Sequence, residues 1–161
     1  MYITFGHMLE VGIHRLEEAK IADAKRDAET LLLYLEKADR TFLYVHRNDA
    51  TDEYRADAYF GLIDRRAAGE PLQYILGSQE FMGLNFAVNP SVLIPRQDTE
   101  TLVELALKRV GEKKRSLSIL DMCCGSGAIA VSMAHFLPKA KITACDISPE
   151  ALEVARGNAA R

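Results

Sequence analysis

The stretch that decides the fold is Ser118–Ile129, which reads SILDMCCGSGAI. An apolar run ends in an acidic residue, a loop of small residues follows, and a helical pattern starts directly after it. This order is typical of a strand, a tight turn and a helix whose loop lets a ligand approach the backbone. Gly125 and Gly127 lack a Cβ where the chain turns sharply. Many turns that bind no ligand share this pattern. Whether this loop binds a ligand is therefore judged from the neighbouring residues.

The residues downstream favour a ligand loop. Residues 141–146 predict the next strand, and its last residue, Asp146, follows Gly127 at the spacing of about 20 residues that places a carboxylate against ribose hydroxyls. Ser148 is expected to be the N-cap of a second helix and Pro149 its first residue. Together these features indicate a site for an adenosine-containing cofactor. The alternative is a strand–helix–strand unit with no ligand.

The composition is that of an ordinary globular protein. Of the 161 residues, 48% are hydrophobic and 27% are charged, which leaves room for one or two small domains. No apolar run approaches the ~20 residues of a membrane span, and the start of the chain has no signal-like segment. We therefore expect a cytoplasmic protein with no membrane partner. The formal net charge of −3 gives no electrostatic reason to expect direct nucleic-acid binding.

The three cysteines are Cys123, Cys124 and Cys145. Two of them are adjacent, and none forms a CxxC pair, so neither a disulfide framework nor a zinc site is predicted. All three fall at predicted strand ends, where cysteine commonly acts as a small buried residue. They are interpreted as reduced packing and loop residues, and no metal is expected.

The first 70 or so residues predict a small helical bundle. Leu9, Ile13 and Leu16 fall on one helical face, and a second helix is expected over residues 23–37. Thr51 is expected to cap a further helix. No group of residues typical of a catalytic site lies in this part of the chain. The bundle is therefore interpreted as a domain that binds the substrate and does not take part in the reaction.

A β-hairpin is predicted to follow the bundle. Leu84, Phe86 and Val88 alternate on one face, and Gly83 can supply the turn. The hairpin would connect the helical part of the chain to the cofactor part.

Four motifs occur in order along the chain: PLQYILG at 71–77, IPRQDTE at 94–100, DMCCGSGAI at 121–129 and DISP at 146–149. In this the chain resembles the N-terminal portion of the peptide chain release factor glutamine methyltransferases, the HemK/PrmC family. The resemblance implies a helical domain joined through a hairpin to a class I methyltransferase domain that uses S-adenosyl-L-methionine. It also implies methylation of the side-chain amide nitrogen of the glutamine in the Gly-Gly-Gln motif of release factors, which would be the partners.

The resemblance assigns site residues by position. Asp146 matches the acidic residue on the cofactor ribose, and Ile147 matches the apolar residue beside the adenine. Cys123 stands where the family's loop has its first glycine, and this small thiol still suits the loop. Arg96, Thr99 and Glu100 match a segment that lines the active site. The loop beneath the methionine part of the cofactor corresponds to Cys123, Cys124, Gly125, Ser126 and Gly127.

The family's Asn-Pro-Pro-Tyr motif, whose asparagine and proline accept hydrogen bonds from the nitrogen to be methylated, is expected beyond Arg161. No catalytic residue is therefore assigned, and the chain is interpreted as an inactive part of the enzyme, truncated before that motif. Residues 89–92, NPSV, resemble the motif but lack its aromatic residue, and they are interpreted as a turn.

The predicted fold class is α/β, with a helical bundle, a linking hairpin and the first half of a Rossmann-like methyltransferase domain. The expected domains are residues 1–75 for docking, 76–95 for the hairpin linker and 96–161 for the partial cofactor domain. Two alternatives stay open: a methyltransferase that acts on a nucleobase amine, and a non-catalytic fragment that binds a partner. An NAD-dependent dehydrogenase is disfavoured, because the loop lacks the GxGxxG pattern.

Overall fold

The computed structural model describes residues 3–111 and 117–161. The chain divides into two units, and the division falls between Leu76 and Gly77. The first unit contains β1 (Ile3–Thr4), α1 (Phe5–Glu18), α2 (Ala24–Glu36), α3 (Arg40–Val45), β2 (Ala50–Thr51), α4 (Glu53–Ala67) and α5 (Leu72–Leu76). The second contains β3 (Ser78–Phe81), β4 (Leu84–Ala87), α6 (Gln97–Gly111), β5 (Ser118–Met122), α7 (Ala128–Phe136), β6 (Lys141–Cys145) and α8 (Pro149–Ala159).

The first unit is a helical bundle, as the periodicity predicts. Its core brings α1, α2 and α4 together around fully buried side chains that include Met8, Leu16 and Leu31. The side chain of Thr4 caps α1 by accepting a hydrogen bond from the amide of His7 at 3.2 Å. Burial of this apolar surface stabilises helices that would be marginal in isolation.

A short antiparallel pair lies beside the bundle. Ile3 of β1 pairs with Thr51 of β2, so Thr51 lies in a strand and does not cap a helix. The N-cap of α4 is instead Asp52, whose carboxylate accepts a hydrogen bond from the amide of Arg55 at 2.8 Å. The prediction of Thr51 as a cap is therefore wrong by one residue.

A close contact between α1 and α4 sets their separation. Tyr59 of α4 is fully buried, and its hydroxyl donates a hydrogen bond to the carbonyl of Ala28 at 3.3 Å. Burial raises the pKa of Tyr59, with a smaller contribution from the charge of Glu29, so the hydroxyl remains a donor. A Cβ added to Gly12 of α1 would lie 2.3 Å from the Tyr59 hydroxyl oxygen. Glycine is therefore required there by close approach.

The second unit begins with the predicted hairpin. Strands β3 and β4 pair antiparallel, and Met82 and Gly83 form the turn with φ values of 54° and 75°. Two carboxylates stabilise this turn: Glu80 accepts a hydrogen bond from the amide of Gly83, and Glu100 accepts one from the amide of Met82, both at 2.6 Å. Since Glu100 belongs to α6, the turn is fastened to that helix.

The remainder of the second unit is a strand–helix–strand–helix arrangement. Strands β5 and β6 pair in parallel, with Asp121 opposite Ala144, and α7 connects them. A second apolar cluster joins α6 and α7 to the hairpin through side chains such as Phe81, Phe86 and Val103. The α/β class is confirmed: a helical unit, a hairpin and the start of a Rossmann-like sheet.

The domain limits of 1–75, 76–95 and 96–161 stay a prediction, and the structure assigns the hairpin to the second unit. Among the helices of the described ranges, none is both long enough and apolar enough to cross a membrane.

The contact between Gly12 and Tyr59 leads to a testable prediction. We expect Gly12→Ala to destabilise the helical unit by ~1–3 kcal/mol, because the added methyl group overlaps the fully buried ring of Tyr59. Urea unfolding followed by circular dichroism measures this.

Gly61 is the matched control, since it also lies inside a helix but a Cβ there meets nothing within 4 Å. Gly61→Ala should raise the free energy of unfolding by about 0.5–1 kcal/mol, because alanine favours the helix. Equal effects of the two substitutions would contradict the close packing at Gly12.

Candidate functional site

The glycine-rich loop between β5 and α7 has an unusual backbone. Three of its residues are in the left-handed region, with φ values of 60° for Cys123, 53° for Gly125 and 78° for Gly127. The amide of Gly127 donates a hydrogen bond to the carbonyl of Cys124 at 2.8 Å, which closes the turn. The amide of Cys124 donates to the carbonyl of Cys145 at 3.0 Å, which ties the loop to the end of β6.

The two glycines serve different purposes. A Cβ on Gly125 would meet nothing within 4 Å, so glycine there provides the backbone conformation and leaves the space above the loop open. A Cβ on Gly127 would lie 3.1 Å from the Cβ of Ala155, so glycine there also permits the close approach of α8.

Asp146, directly after β6, is bound to this loop. One carboxylate oxygen accepts a hydrogen bond from the amide of Gly125 at 2.8 Å, and the other accepts one from the amide of Ser148 at 3.0 Å. These bonds, the one from Ser148 first, hold the pKa of Asp146 below its usual value. A carboxylate has about four lone-pair sites, so Asp146 keeps acceptor capacity for a ligand.

A second carboxyl group, that of Asp121, lies under the loop. It is 9% exposed and accepts a hydrogen bond from the amide of Ala130, in the first turn of α7, at 3.1 Å. Burial raises the pKa of Asp121, and the nearby charge of Asp146 raises it further, while the bond from Ala130 acts in the opposite direction. Sequence reasoning did not assign Asp121 to the site, although an acidic residue that ends an apolar strand was a signal.

The thiols differ in environment. Cys124 is buried, and burial, followed by the charges of Asp121 and Asp146, raises the pKa of its thiol. It therefore stays protonated and is a poor nucleophile at neutral pH. Cys123 is exposed, Cys145 is half-buried, and all three are free. Within residues 3–111 and 117–161 no group of three or more potential ligands could hold a metal ion.

Two further loop and strand-end residues have contrasting positions. Ile147 is 97% exposed although it is a large apolar residue next to Asp146. Ser126 is only 3% exposed, and its carbonyl accepts a hydrogen bond from the side chain of Asn158 at 2.9 Å. The exposed isoleucine is available to a ligand, whereas Ser126 contributes through its backbone.

The remaining predicted site residues lie at the start of α6. Arg96 is exposed, and its carbonyl accepts a hydrogen bond from the amide of Thr99 at 3.0 Å. The carboxylate of Glu100 is engaged with the hairpin turn. Among the described residues, no hydrogen bond or ion pair joins these three to the glycine-rich loop, and their role in an active site stays a prediction.

Comparison with known proteins gives two family matches. Residues 7–77 match the PrmC N-terminal domain, and residues 119–161 match a methyltransferase domain that begins inside β5. The release factor glutamine methyltransferase of Moorella thermoacetica is 45% identical over 157 residues, which cover 98% of this chain and 55% of that protein. That of Koribacter versatilis is 40% identical, covering 99% of this chain and 56% of its own length. The chain belongs to the release factor glutamine methyltransferase family.

The methyltransferase of the same name from Vibrio cholerae is 38% identical and aligns with 100% of this chain and 56% of itself. The chain thus spans about half the length of the curated relatives it matches. The segment that matches the methyltransferase domain contains the glycine-rich loop, Asp121, Asp146 and α8.

The left-handed backbone at Cys123 leads to a prediction about stability. This conformation costs a residue with a Cβ ~1–2 kcal/mol, whereas glycine adopts it without strain and loses ~0.5–1 kcal/mol through its greater freedom when unfolded. Cys123→Gly is therefore expected to raise the thermal midpoint of the second unit by a few degrees. Differential scanning calorimetry measures the change.

Cys145→Gly is the control, since Cys145 is the last residue of a regular strand. It should lower the midpoint, because glycine weakens a strand. A midpoint lowered equally by both substitutions would show that the loop at Cys123 is not strained.

Proposed function

We propose that this chain carries the S-adenosyl-L-methionine-binding part of an enzyme that methylates the side-chain amide nitrogen of a glutamine in peptide chain release factors. The supporting observation is the glycine-rich loop held by Asp146, with Ile147 exposed beside it. The relatives' names support the reaction, since each is called a release factor glutamine methyltransferase.

The residues at the loop fit an adenosyl sulfonium ligand. The open space above Gly125 admits the methionine part of the cofactor over Cys123–Gly127. The unused lone pairs of Asp146 accept hydrogen bonds from ribose hydroxyls, and Ile147 offers an apolar surface to the adenine. A ligand that covered Ile147 would remove apolar surface from water, which favours binding.

The electrostatics of the site favour a cation. The pKa of Asp146 is lowered, so its carboxylate is ionised at neutral pH. The pKa of Asp121 is raised, first by burial; the hydrogen bond from the Ala130 amide opposes this shift, and the charge of Asp146 adds to it. The negative charge of the ionised Asp146 carboxylate, next to the loop and to Asp121, favours the positive sulfonium and ammonium groups of the ligand. We therefore add Asp121 to the proposed site.

When bound, the cofactor supplies a methyl group on a positively charged sulfur. An amide nitrogen is a weak nucleophile, so we expect alignment and electrostatics to provide most of the rate. The protonated Cys124 thiol gives no covalent route through that residue. Arg96, Thr99 and Glu100 are proposed to line the space occupied by the target glutamine. The carboxylate of Glu100 also accepts a hydrogen bond from the hairpin turn.

We further propose that these 161 residues by themselves do not catalyse transfer. Leu120 and Met122 of β5 are 58% and 66% exposed, so the face of the strand opposite Asp121 is uncovered. A cofactor pocket needs walls on more than one side, and an uncovered apolar face also favours self-association.

The exposed Ile147 provides a test of the cofactor assignment. In the natural polypeptide that carries these residues, Ile147→Ala should weaken S-adenosyl-L-methionine binding ~3–10-fold, because the apolar contact with adenine is lost. Titration calorimetry measures the dissociation constant. The thermal midpoint should not change, since Ile147 is 97% exposed.

Leu105→Ala is the matched control, because Leu105 is another exposed apolar residue, in α6, with 61% exposure. It should leave the dissociation constant unaltered. An Ile147→Ala variant that binds as tightly as the unsubstituted protein would remove Ile147 from the adenine site.

The reaction is tested with S-adenosyl-L-methionine labelled in its methyl group and a release factor that carries Gly-Gly-Gln. The natural polypeptide should label this factor, whereas a factor with Gly-Gly-Ala should stay unlabelled. Asp146→Ala should weaken cofactor binding at least about tenfold and reduce transfer at subsaturating cofactor, because both ribose hydroxyls lose their acceptor.

Two results would contradict these proposals. Labelling of a DNA adenine, with the release factor unlabelled, would favour the nucleobase alternative. Transfer by the 161 residues alone, lost in the Asp146→Ala variant, would show that the uncovered face of β5 does not prevent activity.

A further inference from the structure

The side chain of Asn158, in the last turn of α8, is buried although it is polar. It is 5% exposed and makes three hydrogen bonds to the backbone of other elements. Its amide nitrogen donates to the carbonyls of Ser126 and Ala87 at 2.9 and 3.0 Å, and its amide oxygen accepts from the Ala87 amide at 2.7 Å. One side chain therefore joins the glycine-rich loop to strand β4.

These bonds use both donors of the Asn158 amide. The side-chain amide of Asn158 both donates a hydrogen bond to the backbone of Ala87 and accepts one from it, as the backbone of a neighbouring strand would do. The bond to Ser126 reaches a carbonyl inside the loop, two residues before α7. A buried polar group that loses such a partner costs more free energy than the bond contributes, so the bond to Ser126 constrains the loop and the two bonds to Ala87 hold Asn158 in place.

A second contact places α8 against the same loop. Ala155, three residues before Asn158 and hence on the same helical face, approaches Gly127 so closely that a Cβ there would lie 3.1 Å from its own Cβ. Consecutive loop residues, Ser126 and Gly127, are thus held by consecutive turns of one helix. Such external support fixes the loop, because the left-handed conformation is unfavourable for Cys123 and is only one of several open to the two glycines.

We propose that Asn158 is a positioning residue for the cofactor loop. By binding the Ser126 carbonyl, it sets the orientation of the loop at a residue that Asp146 does not bind, and through Ala87 it connects the loop to the hairpin. Asn158 acts through the loop and does not touch the cofactor. The inference rests on the proposed function, since it assumes that the loop binds S-adenosyl-L-methionine.

The informative substitution is Asn158→Asp. Aspartate has the same shape and can still accept the hydrogen bond from the Ala87 amide. It has no donors when ionised, so it places a carboxylate against the carbonyls of Ser126 and Ala87. Asn158→Ser is the second variant; it is shorter and leaves room for a water molecule, so it tests the same role with less repulsion.

The experiment uses the natural polypeptide that carries these residues. Calorimetry gives the dissociation constant of S-adenosyl-L-methionine. Steady-state kinetics with a Gly-Gly-Gln release factor gives kcat and the KM for the cofactor. All measurements are made at a temperature well below the lowest unfolding midpoint of the variants. We expect both variants to raise the dissociation constant and KM, Asn158→Asp by about tenfold or more. At saturating cofactor, kcat should stay within about threefold of the original value, because the reacting groups are untouched.

Val103→Ala is the stability control. Val103 is 1% exposed in the core of the same unit and has no polar side-chain atom, so its truncation destabilises the unit without removing a hydrogen bond from the loop. It should lower the unfolding midpoint and leave the dissociation constant unchanged.

The results separate the inference from the proposed function. Asn158 variants that bind the cofactor as the unsubstituted protein does, with only a lower midpoint, would overturn the positioning role. An increase in dissociation constant in Val103→Ala equal to that in the Asn158 variants would also overturn it. Failure of the unsubstituted protein to bind the cofactor would overturn the proposed function, and the inference with it.

Discussion

The backbone of the glycine-rich loop is the constraint on which the second unit depends. Cys123 is in a left-handed conformation that is unfavourable for a residue with a Cβ, and Gly125 and Gly127 are left-handed but free to adopt others, so local preference alone does not fix the loop in this shape. It is held from two sides: Asp146 accepts a hydrogen bond from the Gly125 amide, and α8 packs against Gly127 through Ala155. The parallel pairing of β5 with β6 makes the first contact available, because it brings the carboxyl ends of both strands to one edge of the sheet.

The fold could largely be predicted from the sequence because its strongest signals are local. Helical periodicity, a glycine at the hairpin turn and Ser148 at the start of α8 each act within a few residues, and Ser148 does cap that helix. The errors concern partners that are distant along the chain. Thr51 lies in β2 because Ile3 pairs with it, and no pattern around Thr51 reveals that strand. The ion pair between the buried Asp27 of α2 and the half-buried Arg66 of α4, at 2.7 Å, was missed for the same reason.

For the candidate site, sequence reasoning predicted that Asp146 and the glycine-rich loop lie near each other and missed how they are held together. Strand order alone places Asp146 near the loop, but its bond to Gly125 could not be read from spacing. Glu100 was predicted to line the active site, and its observed partner is the Met82 amide in the hairpin. Asn158 gave no signal, because its bonds to Ala87 span 71 positions along the chain. Such contacts depend on the packed arrangement of whole elements, which the spacing of residues in the sequence does not encode.

The contact between Gly12 and Tyr59 in the helical unit has a consequence for how this family can change over evolution. The two positions share one volume, since a Cβ at position 12 would lie 2.3 Å from the Tyr59 hydroxyl oxygen. A descendant with a larger residue at position 12 therefore needs a smaller one at position 59. Either change alone is costly: overlap at position 12 costs ~1–3 kcal/mol, and truncation of a buried aromatic residue such as Tyr59 costs ~3–5 kcal/mol. The two positions are therefore expected to change together, as a compensating pair.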